Sequence, residues 1–189
     1  ELPELVDRGS GSEASPGGTW NEPDDFVDTL LGEDPHAIVD AVTDAIAEGA
    51  TATELSSVVA YVAARRVAQF GTANEFRDWN TVHHTYTYTN AIFGISRRTD
   101  AVECYRGVFD AAISVYLDRF LNMPPTPLPD ALDEREAAGD PDAILDDLLE
   151  TFEVEAPEEV NRAGRLTAQY LAAGGDVDGL EQALGEVLL

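Results

Sequence analysis

Apolar residues recur at three- and four-residue spacing through most of this chain, the period of a helix with one buried face. Over 34–49, Ile38, Val39, Val42 and Ile46 make such a face, with Asp34 suited to the N-cap, Pro35 to the first helical position and Gly49 to the stop. Thr51 and Glu54 then form a T-x-x-E capping box, and Leu55, Val58, Val59, Val62 and Val67 carry a second helix to Phe70. Another box, Asp100 with Glu103, precedes Val102, Tyr105, Phe109, Ala112, Ile113, Tyr116 and Phe120, which predict a long helix ended by PPTPLP at 124–129. Asp140 and Pro141 restart helix over 141–152, and two more short helices are predicted at about 158–173 and 177–188, parted by Gly174 and Gly175. AEGATATEL (47–55) and AAGGDVDGL (172–180) share a helix end, a Gly stop, a capping Thr or Asp and a Leu, which reads as one αα-corner used twice.

The stretch HHTYTYTN, 83–90, breaks this regularity. Its alternation and β-branched threonines suit a strand, whose successive side chains point to opposite faces. No other run supplies a partner strand, and a lone strand leaves its backbone groups unpaired. Helix from about 80 to 97 is therefore predicted. On that helix His83, Thr87 and Asn90 fall on one stripe, and His84, Tyr88 and Ala91 or Ile92 on the next. Both stripes mix aromatic and polar groups, a composition expected of a pocket lining. The fold class expected is all-α: an array of six to seven antiparallel helices over 21–189, without significant β-sheet, after a linker or extended segment at 1–20. The Gly- and Ser-rich RGSGSEASPGGT (8–19) marks that linker.

Charge changes the picture more than size does. The chain has 189 residues and a hydrophobic fraction of 44%, ordinary for a globular protein, but 37 acidic residues face 11 basic ones. All the basic residues are arginine, so the surplus of 26 negative charges includes no lysine. An acidic, lysine-free surface over a normal core suits a salt-adapted cytoplasm, where a Debye length of roughly 3 Å screens self-repulsion. The acids are dispersed and lack EF-hand spacing, which argues against calcium binding. Duplex nucleic acid is disfavoured as a partner, since its phosphates would meet a field of like sign, and none is expected. No apolar run reaches membrane-spanning length and no signal peptide is present, so no membrane is expected. Cys104 stands alone, leaving only histidine and carboxylate to hold a metal. Because the chain begins at Glu1 and not at methionine, it is read as a fragment of a longer protein.

His83 and His84 are the candidate metal ligands, with Glu75 supplying a carboxylate and Asp78 as its alternative. Adjacent residues lie about 100° apart on a helix, so one histidine ligates and the other supports or packs. Tyr86, Thr87 and Asn90 are the candidate substrate contacts. A satisfied imidazole bonded to Thr, Tyr or Asn explains the same histidines without a metal, and the catalytic residues stay unassigned. Trp79, Tyr86 and Tyr88 read as core before cofactor platform, and His36 as solvated. Arg97 with Arg98, and Arg65 with Arg66, suit either an anionic substrate or salt bridges. Nucleophilic catalysis is disfavoured: there is no G-x-S-x-G elbow, and Cys104 has no base argued beside it.

NEFRDWNTVHHTYTYTNAIF (74–93), GVFDAAISVYLDRFLNMPP (107–125) and QYLAAGGDVDGLEQALGEVLL (169–189) resemble successive blocks of an all-helical domain of bacterial and archaeal proteins that end in a Rieske-type iron-sulfur module, and more distantly the questin oxidase-like proteins. The resemblance implies a redox-associated domain lining a substrate or metal pocket. A non-haem metal ion is the expected cofactor, and the iron-sulfur cluster belongs to the absent part of the chain. The partner implied is that iron-sulfur module. The competing reading is a non-catalytic helical scaffold of a salt-adapted protein, which binds a partner or packs a homo-oligomer.

If the acid surplus is salt adaptation, the melting temperature rises from low to molar KCl, by about 2–4 °C for each kcal/mol of repulsion screened. A melting temperature insensitive to KCl would reassign the acids to a dedicated interface.

Overall fold

A computed structural model describes residues 20–71, 73–126, 128, 138–153 and 157–187. Eight α-helices and no strand occur among them, so the chain is all-α. The helices are α1 (Phe26–Leu30), α2 (Pro35–Ala47), α3 (Ala52–Ala68), α4 (Phe76–Ser96), α5 (Glu103–Asp118), α6 (Pro141–Glu150), α7 (Pro157–Ala172) and α8 (Val177–Val187). Their number exceeds the six to seven expected because α1 is too short to show a period. They gather into two compact units, one up to Thr126 and one from Pro127. Apart from Trp20, the linker expected over 1–20 lies outside the described residues, as do Pro127 and Pro129 of PPTPLP.

Local chemistry sets most helix ends. The Asp34 carboxylate accepts from the His36 N–H at 2.8 Å, and Pro35 opens α2. In the Thr51 box the Glu54 carboxylate accepts the Thr51 N–H at 2.8 Å, and the Thr51 hydroxyl oxygen accepts the Glu54 N–H at 3.2 Å. The twice-used corner is present at both places. Gly49 and Gly174 adopt φ of 101° and 85°, and each helix closes with the paired bonds of a Schellman stop: Ala50 N–H to Ala45 O with Gly49 N–H to Ile46 O, and Gly175 N–H to Tyr170 O with Gly174 N–H to Leu171 O. Asp176 then caps α8 through the Gly179 N–H at 2.8 Å.

The Asp100–Glu103 box, in contrast, does not form. α5 starts from Val102, and the nearby Ala101 N–H goes to the Thr99 hydroxyl. α4 starts a turn earlier than expected, at Phe76, because the Asp78 carboxylate takes the Glu75 N–H. TYTYT is helical throughout.

In the first unit, Ile38, Val42, Leu55, Val59, Val62, Val108, Phe109 and Val115 form the centre of the core, drawn from α2, α3 and α5. α4 covers α3 and α5 in a different way. Its fully buried positions are Val82, Thr89 and Ser96, seven residues apart, so most of its inward face is polar or small. α3 and α4 run in opposite directions: Thr53 and Ser56 near the start of α3 meet Ser96, whereas Phe70 beyond its end meets Trp79. In the second unit Leu148, Tyr170 and Leu180 pack together with Ile144, Leu145, Leu166 and Leu184.

Two glycines gauge how closely α4 sits. A Cβ at Gly107 of α5 would lie 2.6 Å from Ile92 Cδ1 and 3.1 Å from Ile92 Cγ1 and Cγ2, whereas one at Gly94 meets nothing within 4 Å. Gly94→Ala therefore stabilises by about 0.5–1 kcal/mol through helix propensity alone. Gly107→Ala gains the same propensity but overpacks at a cost of about 1–3 kcal/mol, for a net loss of about 1 kcal/mol. Opposite shifts in denaturant midpoint check the pair; two stabilised variants would mean α4 and α5 are not in close contact at Ile92.

Candidate functional site

The α4 segment splits its residues between two faces. Val82, Thr85, Thr89, Ile92 and Ser96, at spacings of three and four, turn towards α3 and α5 and are buried or partly buried. His83, His84, Tyr86, Thr87, Tyr88 and Asn90 are all exposed. The alternation that suggested a strand is thus divided by the helical period, with Thr85 and Thr89 inward and Thr87 outward. Tyr86 and Tyr88, expected in the core, are each 38% exposed. Both lie beside the inward stripe and not on it.

On the exposed side His83 continues a chain of rings: Phe70 meets Trp79 with centroids 5.6 Å apart, and Trp79 meets His83 at 5.7 Å. The Thr87 hydroxyl donates to the His83 carbonyl at 2.8 Å, a bond within the helix. Glu75 is exposed at the N-cap, eight residues or about 12 Å of helix rise before His83. Asp78 between them caps the helix. Among the described residues no three His, Cys, Asp or Glu side chains gather as a metal-ligand group. A groove of about 440 Å³ is bounded by Trp20, Thr53, Ser57, Val58 and Phe93, and none of the expected site residues lines it.

Beneath α4 lies a polar cluster that a count of apolar positions leaves unmarked. Asp118, 4% exposed at the end of α5, accepts a hydrogen bond from the Thr85 hydroxyl and faces Arg66 of α3, itself 7% exposed. Arg66 Nη2 donates to the Leu31 carbonyl at 3.0 Å, tying α3 to the turn after α1. Arg119, stacked on Tyr116 and Phe120, pairs with Glu33 at 3.0 Å. Asn122, 3% exposed, donates to the Gln69 carbonyl at 2.6 Å, and Asn74 to the Leu121 carbonyl at 2.7 Å, so the α3–α4 turn is stapled to the segment after α5.

Burial is the largest influence on Asp118 and raises its pKa, against the lowering effects of the Thr85 hydroxyl and Arg66. Burial likewise lowers that of Arg66, with Asp118 opposing. A signal for both was present in the sequence: Asp118 follows Ala111 and Val115, and Arg66 follows Leu55, Val59 and Val62, at core spacing.

The raised pKa sets a sign. Protonated Asp118 is favoured in the folded state, so its contribution to stability is full below the unfolded carboxylate pKa and is lost as pH rises through the folded one. Asp118→Asn, which mimics the neutral form and keeps an acceptor for Thr85, is therefore more stable than the parent at pH 7, and the gap closes towards pH 4. Melting curves of the two proteins in the same molar KCl check this; a gap independent of pH would mean that Asp118 titrates normally.

No family model matches the chain, and neither a curated protein nor a solved structure does. Among the described residues no helix is long and apolar enough to cross a membrane.

Proposed function

We propose that the chain is a helical partner-binding module that engages its partner through the outward face of α4. One observation carries this reading. From Trp79 to Ser96 no residue bears a formal charge, in a chain where 25% of residues are charged. Along the exposed side, Asn80, His83, His84, Thr87, Asn90 and Ala91 offer hydrogen-bonding and small groups without a carboxylate. Acidic residues outnumber basic ones 37 to 11 in this chain, and a surface covered by a partner is where acids would be costly to desolvate. The recognition is non-catalytic: the helices hold the face in shape and the exposed groups make the contacts.

A second reading keeps the redox association, with a substrate or non-haem metal at the same face served by an iron-sulfur module on the absent part of the chain. The exposed, adjacent imidazoles of His83 and His84, one tilted against Trp79, favour it. Elemental analysis of the full-length protein separates the two. Stoichiometric metal beyond that of the iron-sulfur cluster, lost on His83→Ala or His84→Ala, supports the redox reading.

The partner-binding reading is tested by a photo-crosslinking residue placed at Thr87 of the full-length protein, with the same residue at exposed Asp40 of α2 as control. Crosslinks to a defined segment from position 87 and not from 40 are expected in molar KCl. Equal labelling from both positions, or none from 87, removes α4 as the contact face.

A further inference from the structure

We infer that the segment received by α4 is an acidic helix, with carboxylates towards both ends and an uncharged middle; this rests on the partner-binding reading above. The exposed side of α4 has arginine at each end: Arg77 in its first turn beside the exposed Phe76, and Arg97 and Arg98 just past its last turn; by the helical period Arg98 lines up with Thr87, and Arg77 and Arg97 lie on its two flanks. They stand about 30 Å apart along the helix axis, the length of a helix of roughly 20 residues. Between them Thr87 and Ala91 are short, and Gly94 has open space where a Cβ would be, so a second helix can approach closely. Three exposed arginines flank an uncharged run on a chain with 26 surplus negative charges, with the carboxylates of Glu75, Asp78 and Asp100 beside them at its two ends.

None of the surrounding acids forms an ion pair with these arginines among the described residues. Glu75 and Asp78 lie at the N-terminal cap, where Asp78 holds the Glu75 N–H, and Asp110 on α5 lies 3.9 Å from Arg106. Asp100 follows Arg98 by two residues in the turn and is the nearest carboxylate in sequence. Arg97 rests over the Phe93 ring at 5.6 Å, and neither Arg77 nor Arg98 has an ion pair within 4 Å among the described residues.

Charge complementarity also decides against a second copy of this chain on the same face. Pairing α4 with another α4 sets Arg77 against Arg77 in the parallel sense, and against Arg97 and Arg98 in the antiparallel sense. An acidic helix meets arginines at both ends instead. At low salt the whole chain repels such a partner. In molar salt a Debye length of roughly 3 Å removes that long-range repulsion and leaves the contact pairs, which for arginine and carboxylate are bidentate.

The test uses the full-length protein in 1 M KCl with two synthetic helical peptides, identical except that one carries Glu near both ends and the other Gln. Fluorescence anisotropy should show the Glu peptide binding at least tenfold tighter, and Arg77→Gln with Arg97→Gln and Arg98→Gln should abolish that preference while circular dichroism stays unchanged. Equal binding of the two peptides, or binding of neither, overturns the acidic occupant. The segment crosslinked from Thr87 gives an independent check. An acidic helix supports the inference, whereas a basic or apolar segment, or a second copy of α4, overturns it and leaves the partner-binding reading intact. Absence of any crosslink from Thr87 overturns that reading itself.

Discussion

The seat of α4 on α3 and α5 is a seam of hydroxyl groups, and the placement of every candidate contact depends on it. Ser96 Oγ lies 2.9 Å from Ser56 Oγ, and the Ser96 carbonyl accepts from the Thr53 hydroxyl at 2.9 Å. Midway, the Thr89 hydroxyl is fully buried and returns its proton to the Tyr86 carbonyl at 2.7 Å. At the other end Thr85 bonds Asp118. A buried hydroxyl without a partner costs on the order of 1–3 kcal/mol, so a helix with this inward face is tolerable only because each of these hydroxyls has one. The aromatic and imidazole groups are left on the outside as a result.

Most of the helices were legible because their signals are local. A capping aspartate before a proline, a T-x-x-E box and a glycine stop act within a few residues, and the structure reproduces them around α2, α3 and α8. The Asp100–Glu103 box failed although its spacing was right, because α5 begins at Glu103 with Val102 as its N-cap, so Glu103 is the first helical residue and not the third. α4 was placed by exclusion of a strand, and its two stripes were identified by composition but not by direction. Mixed aromatic and polar residues fit a pocket lining and an exposed face equally well. Only the neighbouring helices decide which side is turned inward, and their polar inward residues hid that side from an apolar count.

Asp118, Arg66 and Asn122 illustrate the complementary difficulty. Each sits where the helical period or the turn calls for an apolar residue, and in a chain this acidic one more aspartate attracts no notice. What separates Asp118 from the other acids is its register with Ala111 and Val115, not its type. The same reasoning makes the uncharged run from Trp79 to Ser96 informative: against a dense acidic background, the absence of charge carries more information than its presence.

Hydroxyl seams differ from apolar ones in being directional. Apolar burial is indifferent to a slide of one helix along another, provided that area is conserved. The Ser56–Ser96 and Thr53–Ser96 bonds are not, since a shift of one turn, about 5.4 Å, breaks both at once. With Ile92 also lodged against Gly107, α4 is pinned in phase as well as in position. It can therefore act as a ruler: the intervals between its outward groups are set by the helix, and their zero point by two serines and a glycine that no partner ever touches.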